Sequence, residues 1–382
     1  MLRLLFSVFL SVFTASFIFA QDVVSTDSLA EATTQPTDSA AVAPQKKRKK
    51  SREEMTFWDK VYEEVKKFSR VDKRYIEPQH YNYTVMLQNT NTYESYTLRD
   101  KNGNELVLSP EPSFKMGPYV GWRWLVLGYT IDFSHIGDSH HKQDFDLSLY
   151  SNQVGIDLFY RRTGNDYKIR RLTLAGQDGT TSIRNVPFGG FNASIKGFNF
   201  YYIWNHNRFS YPAAFNQSTC QRISCGSPLV GIGYTKHSLN LDALSMQDLI
   251  ASKLGDNTTS VGLDSTMISA KVNYSDLSVS AGYAYNWVFA KDWLFAVSLS
   301  MALGHRQSTG DVEQLTFSFR DFSFENFNLD GVGRFGLVWN NTRWYAGMSA
   351  ILHSYNYKRS QFSTNSVFGS VNIYFGYNFG NR

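Results

Sequence analysis

From Leu277 to Gly304 the chain alternates between apolar and small or polar residues with a period of two. Val279, Ala281, Tyr283, Tyr285, Trp287 and Phe289 are separated by Ser278, Ser280, Gly282, Ala284 and Asn286. After a short turn at Ala290-Lys291-Asp292, Trp293, Phe295, Val297, Leu299, Met301 and Leu303 resume the same phase, with Ala296, Ser298, Ser300 and Ala302 between them. A period of two puts each set on its own face of a strand. The pattern recurs around the turn Asn340 to Arg343, in Phe198, Phe200 and Tyr202 before a turn at Asn205 to Arg208, and in Tyr81, Tyr83, Val85 and Leu87. It closes the chain in Val371, Ile373, Phe375, Tyr377 and Phe379. Repeated hairpins with one apolar face and one small or polar face predict an all-β fold, a transmembrane antiparallel up-and-down β-barrel of about 12–14 strands.

That fold makes further demands. The first and last strands must pair, because an open edge in hydrocarbon leaves backbone groups unsatisfied. Aromatic residues should mark the membrane interface. Trp122, Trp124, Trp204, Trp287, Trp293, Trp339 and Trp344 flank short turns and, with Tyr377 and Phe379, are expected to form one girdle on the periplasmic side. The longer connections Ile136 to Asp144, Ala175 to Gly190, Gln217 to Ser227, Arg306 to Asn326 and Lys358 to Ser363 are then expected outside. The stretch Leu244 to Leu254 reads as a helical insert.

Composition agrees with this layout. Aromatics reach 16%, yet mean hydropathy is slightly negative, as alternation without long apolar runs produces. The one such run, Leu4 to Ala20 after Arg3, has the form of a secretory signal peptide. Four segments follow from these shifts: a signal peptide over 1–20, a disordered low-complexity and polybasic linker over 21–52, an amphipathic periplasmic helix over 53–72, and the barrel over 75–382. Phe57, Val61, Val65 and Phe68 supply the helix's apolar face, and three roles stand for it: docking on the rim, plugging the lumen, or binding a periplasmic partner. The implied location is the outer membrane of a Gram-negative bacterium. The implied partners are its lipid and, during biogenesis, the barrel-assembly machinery. A net charge of +5, partly held in Lys46 to Lys50, gives no argument for nucleic acid.

Candidate chemistry is sparse, and no cofactor is called for. Cys220 and Cys225 would either form a small disulfide on the oxidised outer side or remain two free thiols. His135, Asp138, His140, His141, Asp144 and Asp146 cluster at an outer rim. They read either as a solvated loop or as the base and metal ligands of a surface hydrolase. Arg161, Arg162, Arg170 and Arg171 surround the turn Thr163 to Asp166, either as a basic inner mouth that favours anionic solutes or as ordinary interface charges. The leading function is therefore a non-enzymatic narrow channel or a structural, surface-interacting barrel.

Four motifs carry a resemblance: Tyr75-Ile76-x-Pro78-x-x-Tyr81-Asn82, Met86-x-Gln88-Asn89-Thr90, Gly117-Pro118-Tyr119-x-Gly121-Trp122-Arg123-Trp124 with Leu127-Gly128-Tyr129, and Asp157 to Tyr167. With them the chain resembles an uncharacterised domain-of-unknown-function family of exported bacterial outer-membrane-type barrels, over roughly residues 70–380. The resemblance implies the fold and supplies no activity.

Overall fold

The computed structural model describes residues 70–382 apart from 101–102, 123–124, 133–142, 163–165, 177–178, 255–270, 309–326, 359–361 and 382. The signal peptide, the linker and nearly all of the helix expected over 53–72 lie outside the described residues.

In chain order the strands are β1 (Ile76–Pro78), β2 (Tyr81–Asp100), β3 (Glu105–Pro110), β4 (Ser113–Trp122), β5 (Leu125–Gly128), β6 (Ile131–Asp132), β7 (Gln143–Tyr150), β8 (Val154–Arg162), β9 (Tyr167–Gly176), β10 (Gly179–Ile183), β11 (Val186–Pro187) and β12 (Phe191–Ile203). Helix α1 (Tyr211–Phe215) follows, then β13 (Thr219–Gln221), β14 (Cys225–Leu241), helix α2 (Ala243–Leu254), β15 (Lys271–Ala290), β16 (Trp293–Ser308), β17 (Phe327–Asn340), β18 (Trp344–Lys358) and β19 (Phe362–Asn381).

The long strands close into an antiparallel barrel. Its staves are β2, β4, β5 with β6, β7, β8, β12 and β14 to β19, within the expected range. The first and last staves pair over almost their whole length, from Tyr81↔Asn381 to Asp100↔Phe362. The alternation has the predicted phase. Val279, Leu299, Met301 and Val120 are exposed on the outward face, whereas Ala284, Asn286, Ser298, Arg334 and Tyr374 are buried inside.

The short turns gather at one rim. The ladder places Trp293 opposite Trp339, Trp344 opposite Tyr377, Tyr83 opposite Phe379, and Tyr83 also opposite Trp122. Trp204, Trp287 and Trp293 lie at this end too, each on a stave terminus or the turn beside it. Trp124 lies outside the described residues.

At the opposite rim β2 changes partner, from β4 over Tyr83–Thr92 to β3 over Tyr96–Arg99. There β3, β9, β10, β11 and α2 form a cap whose core joins Leu106, Leu108, Ile169, Leu172, Phe188, Met246 and Ile250 to the inward Tyr96, Phe191, Leu239 and Tyr274 of the staves.

Two expectations are corrected here. The basic cluster around Thr163 to Asp166 does not sit at an inner mouth, because Ser151 to Gln153 turns the chain at the Trp-bearing rim, with the Ser151 amide donating to the Val154 carbonyl at 2.9 Å. The end of β8 at Arg162 and the start of β9 at Tyr167 are thereby placed at the cap end, and β9, paired with β3, is part of the cap. The connection Gln217 to Ser227 also lies at the Trp rim and not outside, because β12 pairs with β14 directly, Ile203 facing Leu229. The cysteines move with it. No disulfide forms: both are free thiols, Cys220 buried and Cys225 partly so.

Candidate functional site in the barrel lumen

The connection between β12 and β14 folds back into the barrel. Ser210 is an N-cap, its hydroxyl accepting from the Ala213 amide at 3.3 Å, and Pro212 occupies the first turn, where its missing N–H costs nothing. Five residues are too few for a helix to be stable alone. Packing supplies what length does not: Phe209, Tyr211, Ala213 and Ala214 are essentially fully buried, and burying each ring favours the fold by about 1.5–3 kcal/mol.

The wall is shaped to receive this plug. Ala213 and Ala214 pack on the inward Leu294, Ala296 and Val338, and Tyr211 packs on Tyr150, Tyr201 and Phe209. A Cβ at Gly336 would stand 3.2 Å from the Ala214 carbonyl oxygen, so this position admits little more than glycine. Polar atoms are matched as well. The Tyr211 hydroxyl donates to Ser298 Oγ at 2.6 Å, Gln217 Nε2 donates to the Tyr374 hydroxyl at 2.7 Å, and Asn286 Nδ2 donates to the Ser210 carbonyl at 2.8 Å.

Above the plug a belt of charge crosses the lumen. Arg334 of β17 forms an ion pair with Asp157 of β8, and Asp157 also accepts from Ser148 Oγ at 2.8 Å and the Tyr150 hydroxyl at 3.1 Å. The Arg334 guanidinium lies 5.1 Å from the Tyr201 ring centre. Arg161 donates to Asp146 at 2.7 Å, approaches Glu94 at 3.9 Å and stacks 4.8 Å from the centre of Phe368. Two buried ions are tolerated only with such partners. Higher still, His353 stacks on Phe368 at 4.8 Å, and His237 stacks on Tyr274 at 4.5 Å with Tyr355 edge-on at 5.0 Å. These side chains meet across the barrel.

The expected loop cluster is not assembled among the described residues. His135, Asp138, His140 and His141 lie outside them. Of the cluster's strand residues, Asp146 of β7 is engaged by Arg161. The basic residues do not form an inner mouth. Arg161 points into the lumen, Arg171 pairs with Glu105, and Arg170 approaches Glu111 at 3.9 Å near the cap. His353 is inward and Ser354 faces away, its hydroxyl accepting from Asn365 at 3.4 Å. Sequence reasoning missed the plug. Its trace was the Ser210-Tyr211-Pro212 cap and the run of small or apolar inward residues Ala284, Ala296, Gly336 and Val338.

A model of a domain of unknown function, DUF4421, matches residues 70–379. The chain belongs to that family. The match begins just before β1, so the family unit includes the segment leading into the barrel. Comparison with curated proteins finds no match. Among solved structures, the outer membrane protease OmpT from Escherichia coli is 5% identical, covering 78% of this chain and 97% of its own, with a TM-score of 0.30. The translocator domain of the autotransporter NalP from Neisseria meningitidis is 10% identical, covering 78% and 88%, at 0.29. OprG from Pseudomonas aeruginosa is 7% identical, covering 79% and 98%, at 0.22. At these values the likenesses assign no activity, substrate or location to this DUF4421 member.

Proposed function

We propose that this DUF4421 protein is an integral outer-membrane β-barrel, seated in outer-membrane lipid, whose lumen is closed by its own chain, and that it serves as a non-enzymatic anchor with a gated interior instead of a standing pore. The outward apolar face supports the membrane reading. Val279, Leu299, Met301 and Leu303 are each more than half exposed on adjoining staves, an apolar surface that would be unstable in water and that lipid would cover. The Trp-bearing rim then faces the periplasm and the cap faces outward. Trp122, Trp204, Trp287, Trp293, Trp339, Trp344, Tyr377 and Phe379 sit at that rim as an interfacial girdle.

The observation that carries the closed state is the plug locked to the wall by Tyr211 and Ser298, beneath the Arg334–Asp157 pair that bridges opposite sides of the lumen. Planar-bilayer recording of the refolded full chain tests it. Silence is expected from protein that migrates as a heat-modifiable folded barrel on gels. Regular conductance steps from that same protein would overturn the closed reading.

A further inference from the structure

The plug is fastened from outside the barrel by the segment that precedes the first stave. The Asp72 amide donates to the Asn207 carbonyl at 2.8 Å, and the Arg208 guanidinium lies 4.0 Å from the Asp72 carboxylate and 5.1 Å from the centre of the Tyr75 ring. β1 then pairs antiparallel with β13: Ile76 faces Gln221, Glu77 faces Cys220 and Pro78 faces Thr219. Ile76 is fully buried. The Arg222 amide donates to the Tyr75 carbonyl at 2.7 Å, and its guanidinium bridges Glu77 to Asp292, in the turn between β15 and β16.

One residue connects that external sheet to the plug. Gln221 Nε2 donates to the Tyr75 and Arg208 carbonyls at 3.3 and 2.7 Å, while its Oε1 accepts from the Ser210 amide at 2.9 Å and from Asn286 Nδ2 at 3.2 Å. Ser210 is the residue that caps α1, and its hydroxyl is 2.7 Å from that of Thr219 in β13. From Tyr75 through Gln221 and Ser210 to Tyr211 the contacts are continuous, with no flexible spacer.

We infer that Asp72–Pro78 is a latch for the luminal plug: while β1 is paired with β13 the plug is held in the barrel, and drawing this segment off the rim releases α1 from the wall. The inference rests on the closed-barrel reading and adds its control point. A periplasmic protein that binds the chain just ahead of Asp72 and moves it away from the rim would act directly on the plug, whereas a ligand on the cap would have to act through the whole lumen.

The protein carries its own reporter. Cys220 pairs with Glu77 of β1 and is buried, its thiol against the Asn340 carbonyl, and burial pushes that thiol up to about 12, so it is shielded and protonated in the latched state. Maleimide labelling of the full chain in lipid vesicles tests the device at two depths. Cys220 is read in a Cys225→Ser background. The plug is read by Ala214→Cys in a Cys220→Ser, Cys225→Ser background. Ile76→Asp should speed labelling at both positions by about tenfold or more, as opening a local unit does for the groups it shields. Arg222→Ala, which removes the bridge and keeps the apolar contact, should speed both by less and serves if Ile76→Asp yields no folded barrel. Faster labelling of Cys220 with Ala214→Cys still protected would overturn the latch, because the segment would then leave without the plug. Unchanged labelling at both positions would overturn it too. Conductance steps in the unmodified protein would instead refute the closed-barrel reading, a result separable from either.

Discussion

Two connections at the same rim join antiparallel staves in opposite ways. Between β15 and β16 the chain reverses in Lys291 and Asp292, the latter at φ 63°, and adds nothing to the interior. Between β12 and β14 it runs from Trp204 to Ser224, caps a helix with Ser210 and fills the lumen with Tyr211, Ala213 and Ala214. The wall differs accordingly. Inward residues of β15 to β17 that face the plug are mostly small or apolar, Ala284, Leu294, Ala296, Gly336 and Val338 beside Asn286, whereas those farther up the same staves include Asp276, Asp330 and Arg334. A long connection, then, sets the composition of the lumen opposite it, and a tight turn does not.

The strongest way to break the plugged side is to unbalance the charge above it. Asp157→Ala leaves Arg334 buried without its carboxylate and should cost about 3–5 kcal/mol, read as a lowered urea midpoint by Trp fluorescence in vesicles. Asp157→Leu with Arg334→Met should recover most of that loss. Lys291→Ala in the tight turn should move the midpoint by less than about 0.5 kcal/mol. Gly336→Val comes next. Its side chain would meet the Ala214 carbonyl and should cost about 1–3 kcal/mol by overpacking, with the plug loosening before the wall in hydrogen exchange. Ser210→Ala removes the cap and should cost about 1 kcal/mol, seen as faster exchange of the Ala213 amide.

The smallest effect is that of pH on the latch. Burial pushes the Glu77 carboxyl up, but hydrogen bonds from His80 and Arg222 with the Arg222 charge outweigh it, so it titrates below its ordinary value. Hydrogen bonds from the Arg74 side chain and amide bring half-buried Asp72 down to about 2. Both pKa values are depressed by folding, so their contribution is fully present above the unfolded carboxylate values, about 4. It is lost as pH falls from there toward about 2. Exchange of the Arg222 amide, corrected for its intrinsic rate, should therefore be flat from about pH 5 upward and accelerate only below about pH 4. An acceleration between pH 6 and 8 would mean that some other group holds the latch.

The wall of this protein was legible because a strand in a two-faced environment must alternate. Val279 to Phe289 and Val371 to Phe379 state which face is outward, and closure then forces Tyr83 beside Phe379. The site was much less legible. Ser151 to Gln153 has no Gly or Pro to mark a turn, so the reversal between β7 and β8 was not anticipated and Arg161 was read as part of an inner mouth or as an interface charge. Phe209 to Phe215 has aromatic residues at a spacing that suits a strand or a short helix, and only the Ser210 cap and Pro212 favour the helix.

Taken alone, the amino-acid sequence determined the all-β class, the phase of β2, β12 and β15 to β19, the pairing of first with last and the helical insert that became α2, because each follows from local periodicity and the need to satisfy backbone groups. Only the tertiary structure decided that residues 204–224 turn inward, that Cys220 pairs with Glu77 of β1, that Arg334 reaches Asp157, and that Asp72–Pro78 is fastened to the plug. Those contacts join residues far apart in the chain, as with the 177-residue separation of Arg334 and Asp157. Periodicity says which face a side chain takes, and the closed barrel decides what stands opposite it.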